Sequence, residues 1–203
     1  MTKLTLDDIA DLRAYERERA EFRSSIIALK KKRRVGVGPF VTFVFENRDT
    51  IRFQIQEMAR AEKLISDDAI ETELRIYNPL IPEPGHLSAT MFIELTTDSE
   101  MREWLPKLVG IETAVELRLT GAGGDNADLQ VVPCTVDPDH AAQLTRDDTT
   151  SAVHYIAWEL EPQAVAAIDA GAIVELAVTH ANYAHAVRLS EDTVQELLAD
   201  LRG

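Results

Sequence analysis

The sequence predicts an α+β fold in which N-terminal helices pack on a mainly antiparallel sheet and a last helix closes the C-terminus. Three observations carry this. Up to residue 82, apolar residues recur three or four apart, as in Leu6, Ile9 and Leu12. From residue 86 onward the period shortens to two, with Val115, Leu117 and Leu119 alternating with Glu116, Arg118 and Thr120. The strands are short and joined mostly by turns, unlike the alternating helices of a parallel α/β sheet. Asn78-Pro-Leu-Ile-Pro-Glu-Pro-Gly85 marks the change of period. Residues 1–82 are therefore expected to form a helical region with one strand and a polar helix block. Residues 83–203 should form a mainly antiparallel β region with short helices, the two making one continuous domain.

Thr5-Leu-Asp-Asp8 has capping-box spacing and predicts a helix from Leu6 with Leu6, Ile9, Leu12 and Tyr15 on its apolar side. Phe22, Ile26 and Leu29 extend that spacing to Lys30-Lys-Lys-Arg-Arg34, which reads as a solvated helix end where positive charge offsets the dipole. Val35 to Phe45 reads as a turn or bulge feeding a strand. Thr50 or Asp49 should cap the next helix, and Ser66 the one after it, with Ile70, Leu74 and Tyr77 on one side. Ala89, Met91, Ile93 and Leu95 share a strand face; a helix starts near Asp98 and ends at Gly110. Gly121 to Asn126 is a turn into Leu129–Val132, and a polar loop from Asp137 to Thr150 leads to a strand at Val153–Leu160. Pro162 opens a short helix, strands follow at Ile173–His180 and Tyr183–Leu189, and Ser190 caps the last helix.

A net charge of −14 over 203 residues disfavours nucleic acid and anionic membranes as partners, since both need a basic footprint. No segment approaches the ~18 apolar residues of a membrane span, and the start lacks a signal-peptide core. Cys134 is the only cysteine, so no internal disulfide, Cys-rich zinc site or iron–sulfur cluster is expected. These features predict a reduced, cytoplasmic protein.

The segment from Phe43 to Pro82 is the most informative. On the helix that follows its first strand, Ile51, Ile55, Met58, Ala61 and Ile65 fall on one face at 100° per residue, with Glu62 in the middle, Gln54 on it and Glu57 at its flank. Arg52, Gln56, Arg60 and Lys63 form the opposite stripe, read as exposed or as a docking surface. A carboxylate facing inward is expected to be paired, because desolvating an unpaired charge costs several kcal/mol. Glu46, Arg48, Glu57 and Glu62 are therefore the candidate catalytic residues, and Asn47, Gln54, Arg52 and Arg60 the candidate binding residues. Glu57 and Glu62 diverge by about 140° around a helix of ~3.6 residues per turn, so they do not chelate one ion by themselves. The competing reading pairs these carboxylates with Arg48 or with an arginine of the first helix (Arg13, Arg17, Arg19 or Arg23), to fix helix packing.

His154, His180 and His185 each share a strand face with apolar residues and are the candidate metal ligands if they converge. No paired-histidine spacing supports a metal, and no cofactor is expected. Glu83-Pro-Gly-His86 has the Glu-x-x-His string of diiron bundles, but Pro84-Gly85 forbids the helix that string requires. Gly121-Ala-Gly-Gly124 lacks the Lys-Ser/Thr of a P-loop, and Cys134 has no activating neighbour in sequence.

Lys30-Lys-Lys-Arg-Arg-Val-Gly-Val-Gly-Pro39, Phe45-Glu-Asn-Arg-Asp-Thr50, Gln54-Ile-Gln-Glu-Met58, Tyr77-Asn-Pro-Leu-Ile-Pro82 and Leu87-Ser-Ala-Thr90 together give a pattern that spans nearly the whole chain. In these blocks the chain resembles the bacterial family catalogued as domain of unknown function 3501. That family has no established activity, so the resemblance transfers no catalytic residues. It implies a context instead: such genes often lie beside a rubrerythrin-like diiron protein and an iron–sulfur oxidoreductase related to heterodisulfide reductase. The expected function is an accessory protein of that redox or peroxide-defence system, with one of those proteins as partner. The alternative is a small enzyme using a Glu/Arg/His site, metal-dependent in one form.

Overall fold

A computed structural model describes residues 2–121, 129–137 and 148–203. The fold is α+β, with two four-stranded antiparallel sheets and six helices among the described residues. The first sheet holds β1 (Arg34–Val37), β2 (Val41–Phe45), β3 (His86–Ile93) and β6 (Val153–Glu159), in that order. The second runs β5 (Gln130–Pro133), β4 (Val115–Thr120), β7 (Ile173–His180) and β8 (Tyr183–Arg188). Pairing of β2 with β3, Phe45 opposite Ala89, joins the chain on either side of the proline-rich segment.

The two sheets face each other over one apolar core. Phe43, Met91 and Trp158 come from the first sheet, and Leu117, Val174 and Leu176 from the second. Each such side chain is worth about 1.5–3 kcal/mol on burial. Backbone bonds between Thr135 and Ala157 (2.7 and 2.9 Å) tie the sheets along one side. On the other, the Tyr183 hydroxyl donates to Val37 O at 2.7 Å and accepts from the Phe40 and Val41 amides at 3.2 and 3.1 Å.

Helices α1 (Leu12–Arg33), α2 (Arg48–Glu62) and α3 (Asp67–Tyr77) form a third layer on the outer face of the first sheet. That cover explains why β2 is buried at all five positions, not at every second one. A second apolar cluster sits inside the layer, built on Leu4, Ile51, Ile55, Leu74 and Ile81. α4 (Asp98–Trp104) is capped by Thr97 through the Glu100 amide and ends at Trp104, not at Gly110: the chain tightens into a 3-10 turn over Leu105–Leu108, where Pro106 has no amide to donate, and Gly110, at φ 87°, opens the next turn. α5 (Pro162–Asp169) and α6 (Glu191–Arg202) complete the fold, with Leu197, Leu198 and Leu201 of α6 in the main core.

Several local expectations are corrected. The first helix starts at Leu12, not Leu6. The Thr5–Asp8 interaction closes only a 3-10 turn, and Asp11 caps α1 by accepting from the Arg13 and Ala14 amides at 2.9 Å. The break at Ala10 is tolerated because the Gln56 side chain bonds both its amide (2.8 Å) and its carbonyl (3.1 Å). Val35–Phe45 is a two-strand hairpin turned at Gly38, not one strand. α2 is capped by Asn47, which accepts from the Asp49 and Thr50 amides while Thr50 Oγ1 accepts from the Asn47 amide. Ser66 caps α3 as expected. The glycine-rich turn at 121–126 lies, apart from Gly121, outside the described residues, as does most of the 137–150 loop. No helix among the described residues is long and apolar enough to cross a membrane.

Candidate functional site

α2 turns a different face inward from the one its apolar spacing suggests. Ile51, Ile55 and Ala59 are buried with Gln56, while Ala61, Glu62 and Ile65 are exposed. In this rotation Gln56 meets the Ala10 backbone and Glu57 meets Tyr15 and Arg19 of α1. It also stops at Glu62: Lys63 is left-handed (φ 57°), so Ile65 never joins the helix.

This rotation settles where the polar block goes. Glu57 accepts from Arg19 Nε and Nη2 at 2.8 and 2.9 Å, and from the Tyr15 hydroxyl at 2.7 Å. The Arg19 bonds hold its carboxyl down at about 2, and Tyr15 is driven up by burial and by the same carboxylate. Arg48 pairs with Asp8, Arg60 with Glu16 at 2.6 Å, and Arg52 donates to Asp8 O at 2.8 Å with its guanidinium over the Phe22 ring. Among the alternatives open from sequence, pairing with an arginine of the first helix therefore holds for Glu57, through Arg19. The stripe Arg52–Gln56–Arg60 is not a free surface: Gln56 is fully buried, and the arginines face α1 and the segment before it. Glu62, expected inward and paired, sits at the exposed helix end with no ion pair among the described residues. Its charge instead raises the carboxyl of Glu73 on α3, after burial.

The histidines do not converge. His154 is buried on the first sheet, its Nε2 within 2.9 Å of Thr150 Oγ1 and of Ser151 O. His180 and His185 lie on the second sheet; His180 Nε2 is 3.2 Å from Val109 O, and His185 is exposed against Tyr183. No metal-competent group of His, Cys, Asp or Glu occurs among the described residues. Cys134 is half-buried after β5, and burial pushes its thiol up.

Two residues of the polar block reach a cavity: Glu46 and Gln54. The strand alternation puts Thr42, Val44 and Glu46 on the outer face of the first sheet, and the Glu46 amide extends β2 by bonding Ser88 O at 2.8 Å. Glu46 is only 7% exposed. Its Oε1 accepts from Thr90 Oγ1 at 2.6 Å, and its other oxygen has no hydrogen bond among the described residues. The cavity, about 260 Å³, has the outward residues of β3 and β6 as its floor, Thr90, Phe92, Val153 and Tyr155. Lys30 of α1, Gln54 of α2 and Tyr77 at the end of α3 roof it. Burial, then the neighbouring Tyr77 and Glu46, push the Tyr155 hydroxyl up.

Sequence reasoning missed Lys30, Thr90, Tyr77 and Tyr155 as lining residues. A signal exists for Thr90: it falls out of phase with the apolar face Ala89, Met91, Ile93 on a strand that is buried on both sides. The Lys30–Arg34 run is not simply a solvated helix end. Lys30 is half-buried at the cavity, and Arg33 is buried against Asp200.

The sequence matches the family described as "Protein of unknown function (DUF3501)" over residues 3–201. It is also similar to a solved structure described as a novel protein of unknown function from Burkholderia pseudomallei K96243. The identity is 36%, the match covers 98% of this chain and 100% of that one, and the TM-score is 0.87. A search of the curated proteins finds no match.

Proposed function

The chain belongs to the DUF3501 family, and from that premise we propose that it is a cytoplasmic binding protein accessory to a redox or peroxide-defence system. Its partner in this reading is a rubrerythrin-like protein or an iron–sulfur oxidoreductase, as the family's resemblance in context implies. One observation carries the reading: Arg48, Glu57 and Arg60 of α2 are engaged by α1 and the segment before it, while Glu46, just after β2, is the one carboxylate that lines this cavity among the described residues. A buried carboxylate beside an amide, a hydroxyl and two phenols is recognition chemistry, with donors and acceptors that fix orientation. The enzyme alternative keeps Glu46 but needs an arginine or histidine beside it; Arg48 is engaged by Asp8, and the histidines lie elsewhere.

The test is retention of those two proteins, from the same host, on the immobilised chain at low and high salt. With a net charge of −14, complex formation should weaken as salt rises, because exposed attractions are screened within ~8 Å at physiological ionic strength. No retention at low salt, with turnover of a small molecule by the isolated chain, would replace this reading with the enzyme.

A further inference from the structure

We propose that the Glu46 cavity binds a small zwitterion with an apolar body, of the class of the hydrophobic α-amino acids, its ammonium on Glu46 and its carboxylate toward Lys30. The inference rests on the binding-protein reading and names what this site takes.

Three features of the cavity set the class. Glu46 is nine-tenths buried, yet one of its oxygens is left to the cavity after Thr90 has taken the other. A buried carboxylate oxygen calls for a hydrogen-bond donor, and charge-assisted bonds from a cation are the strong ones. The aromatic rings of Tyr77, Phe92 and Tyr155 line the same space and attract a cation further. Lys30 also lines the cavity but makes no ion pair with Glu46; its ammonium stands 5.8 Å from the Phe53 ring centroid. Two residues of opposite charge that line one cavity without an ion pair between them suit a ligand that carries both charges. Ile51, Leu80 and Val153 also line the cavity; their side chains offer no hydrogen bond and select an apolar body. A volume of about 260 Å³ admits a molecule of amino-acid size.

The experiment compares three probes by calorimetric titration of the full chain: L-phenylalanine, phenethylamine (no carboxylate) and 3-phenylpropionate (no ammonium). L-Phenylalanine should bind tightest. Phenethylamine should bind more weakly, and 3-phenylpropionate at least ~10-fold more weakly than L-phenylalanine, as hydrogen bonds to charged groups require. Glu46→Gln keeps an acceptor for Thr90 and should weaken L-phenylalanine by ~10-fold or more. Lys30→Met, at the rim, should bring L-phenylalanine down to the phenethylamine level and leave phenethylamine unchanged. Lys30→Met decides the matter if Glu46→Gln does not fold. Absence of saturable L-phenylalanine binding, equal binding of all three probes, or preference for 3-phenylpropionate overturns the proposal. The partner-retention experiment reads out separately, so failure of either leaves the other interpretable.

Discussion

Arg33, the last residue of α1, donates to both carboxylate oxygens of Asp200 in α6, at 2.6 and 2.9 Å. The side chains are 1% and 5% exposed. The pair locks the helical layer onto the closing helix across 167 residues of sequence. Burial pushes the Asp200 carboxyl up against the pull of Arg33, and Arg33 Nε has no hydrogen-bond partner among the described residues. The pair is therefore a positional device more than a source of net stability.

Removing one partner should be costly and removing both should not. Asp200→Ala leaves the buried Arg33 charge with the longer ion pair to Glu196 Oε2 (3.4 Å) and is expected to cost about 3 kcal/mol in denaturant unfolding, while Asp200→Asn costs less. The double change Arg33→Met with Asp200→Leu should recover most of the loss. A double variant as unstable as Asp200→Ala would show that the ionic contact itself holds the helices.

Glu57 makes stability depend on acid. Its folded pKa is lowered from the ordinary 4.5 to about 2 by Arg19 and Tyr15. Its contribution is thus fully present above about pH 4.5 and lost as pH falls toward 2. Glu57→Gln should lower Tm at pH 7 by several degrees and flatten the fall in Tm over that acid window. Glu62→Ala, at the exposed end of the same helix, should stay within about 2 °C of wild type at every pH. A large effect of Glu62→Ala would contradict the observed rotation of α2.

Gly38 anchors the contact between the sheets. It sits at φ +76°, and a Cβ there would come within 2.6 Å of the His185 ring and of the Tyr183 hydroxyl. Gly38→Ala should therefore cost about 1–3 kcal/mol, more than a surface substitution. Tyr183→Phe removes the bonds to the hairpin and should raise amide exchange at Phe40 and Val41. Unchanged exchange at both amides would show that the hydroxyl does not hold the turn.

Short-range chemistry was legible in the sequence: the period-two strand at Val115–Thr120, the Ser66 cap and the start of the helix at Asp98 all depend on neighbours a few residues away. So was the prominence of the Glu46–Met58 block, since a dense polar run between apolar elements needs partners. What only the tertiary structure decided is which partners. The apolar spacing of α2 was ambiguous by a rotation of less than one turn. Gln56 on the Ala10 backbone and Glu57 on Arg19 resolved it by contacts across 46 and 38 residues. The same long-range packing stacked α1, α2 and α3 over the outer face of the first sheet. It brought Lys30, Tyr77 and Thr90 to Glu46 and left His154 on the first sheet, away from His180 and His185 on the second. Periodicity reports which side of an element is apolar; it carries no information on what faces that side, because that depends on the relative placement of elements far apart in the chain.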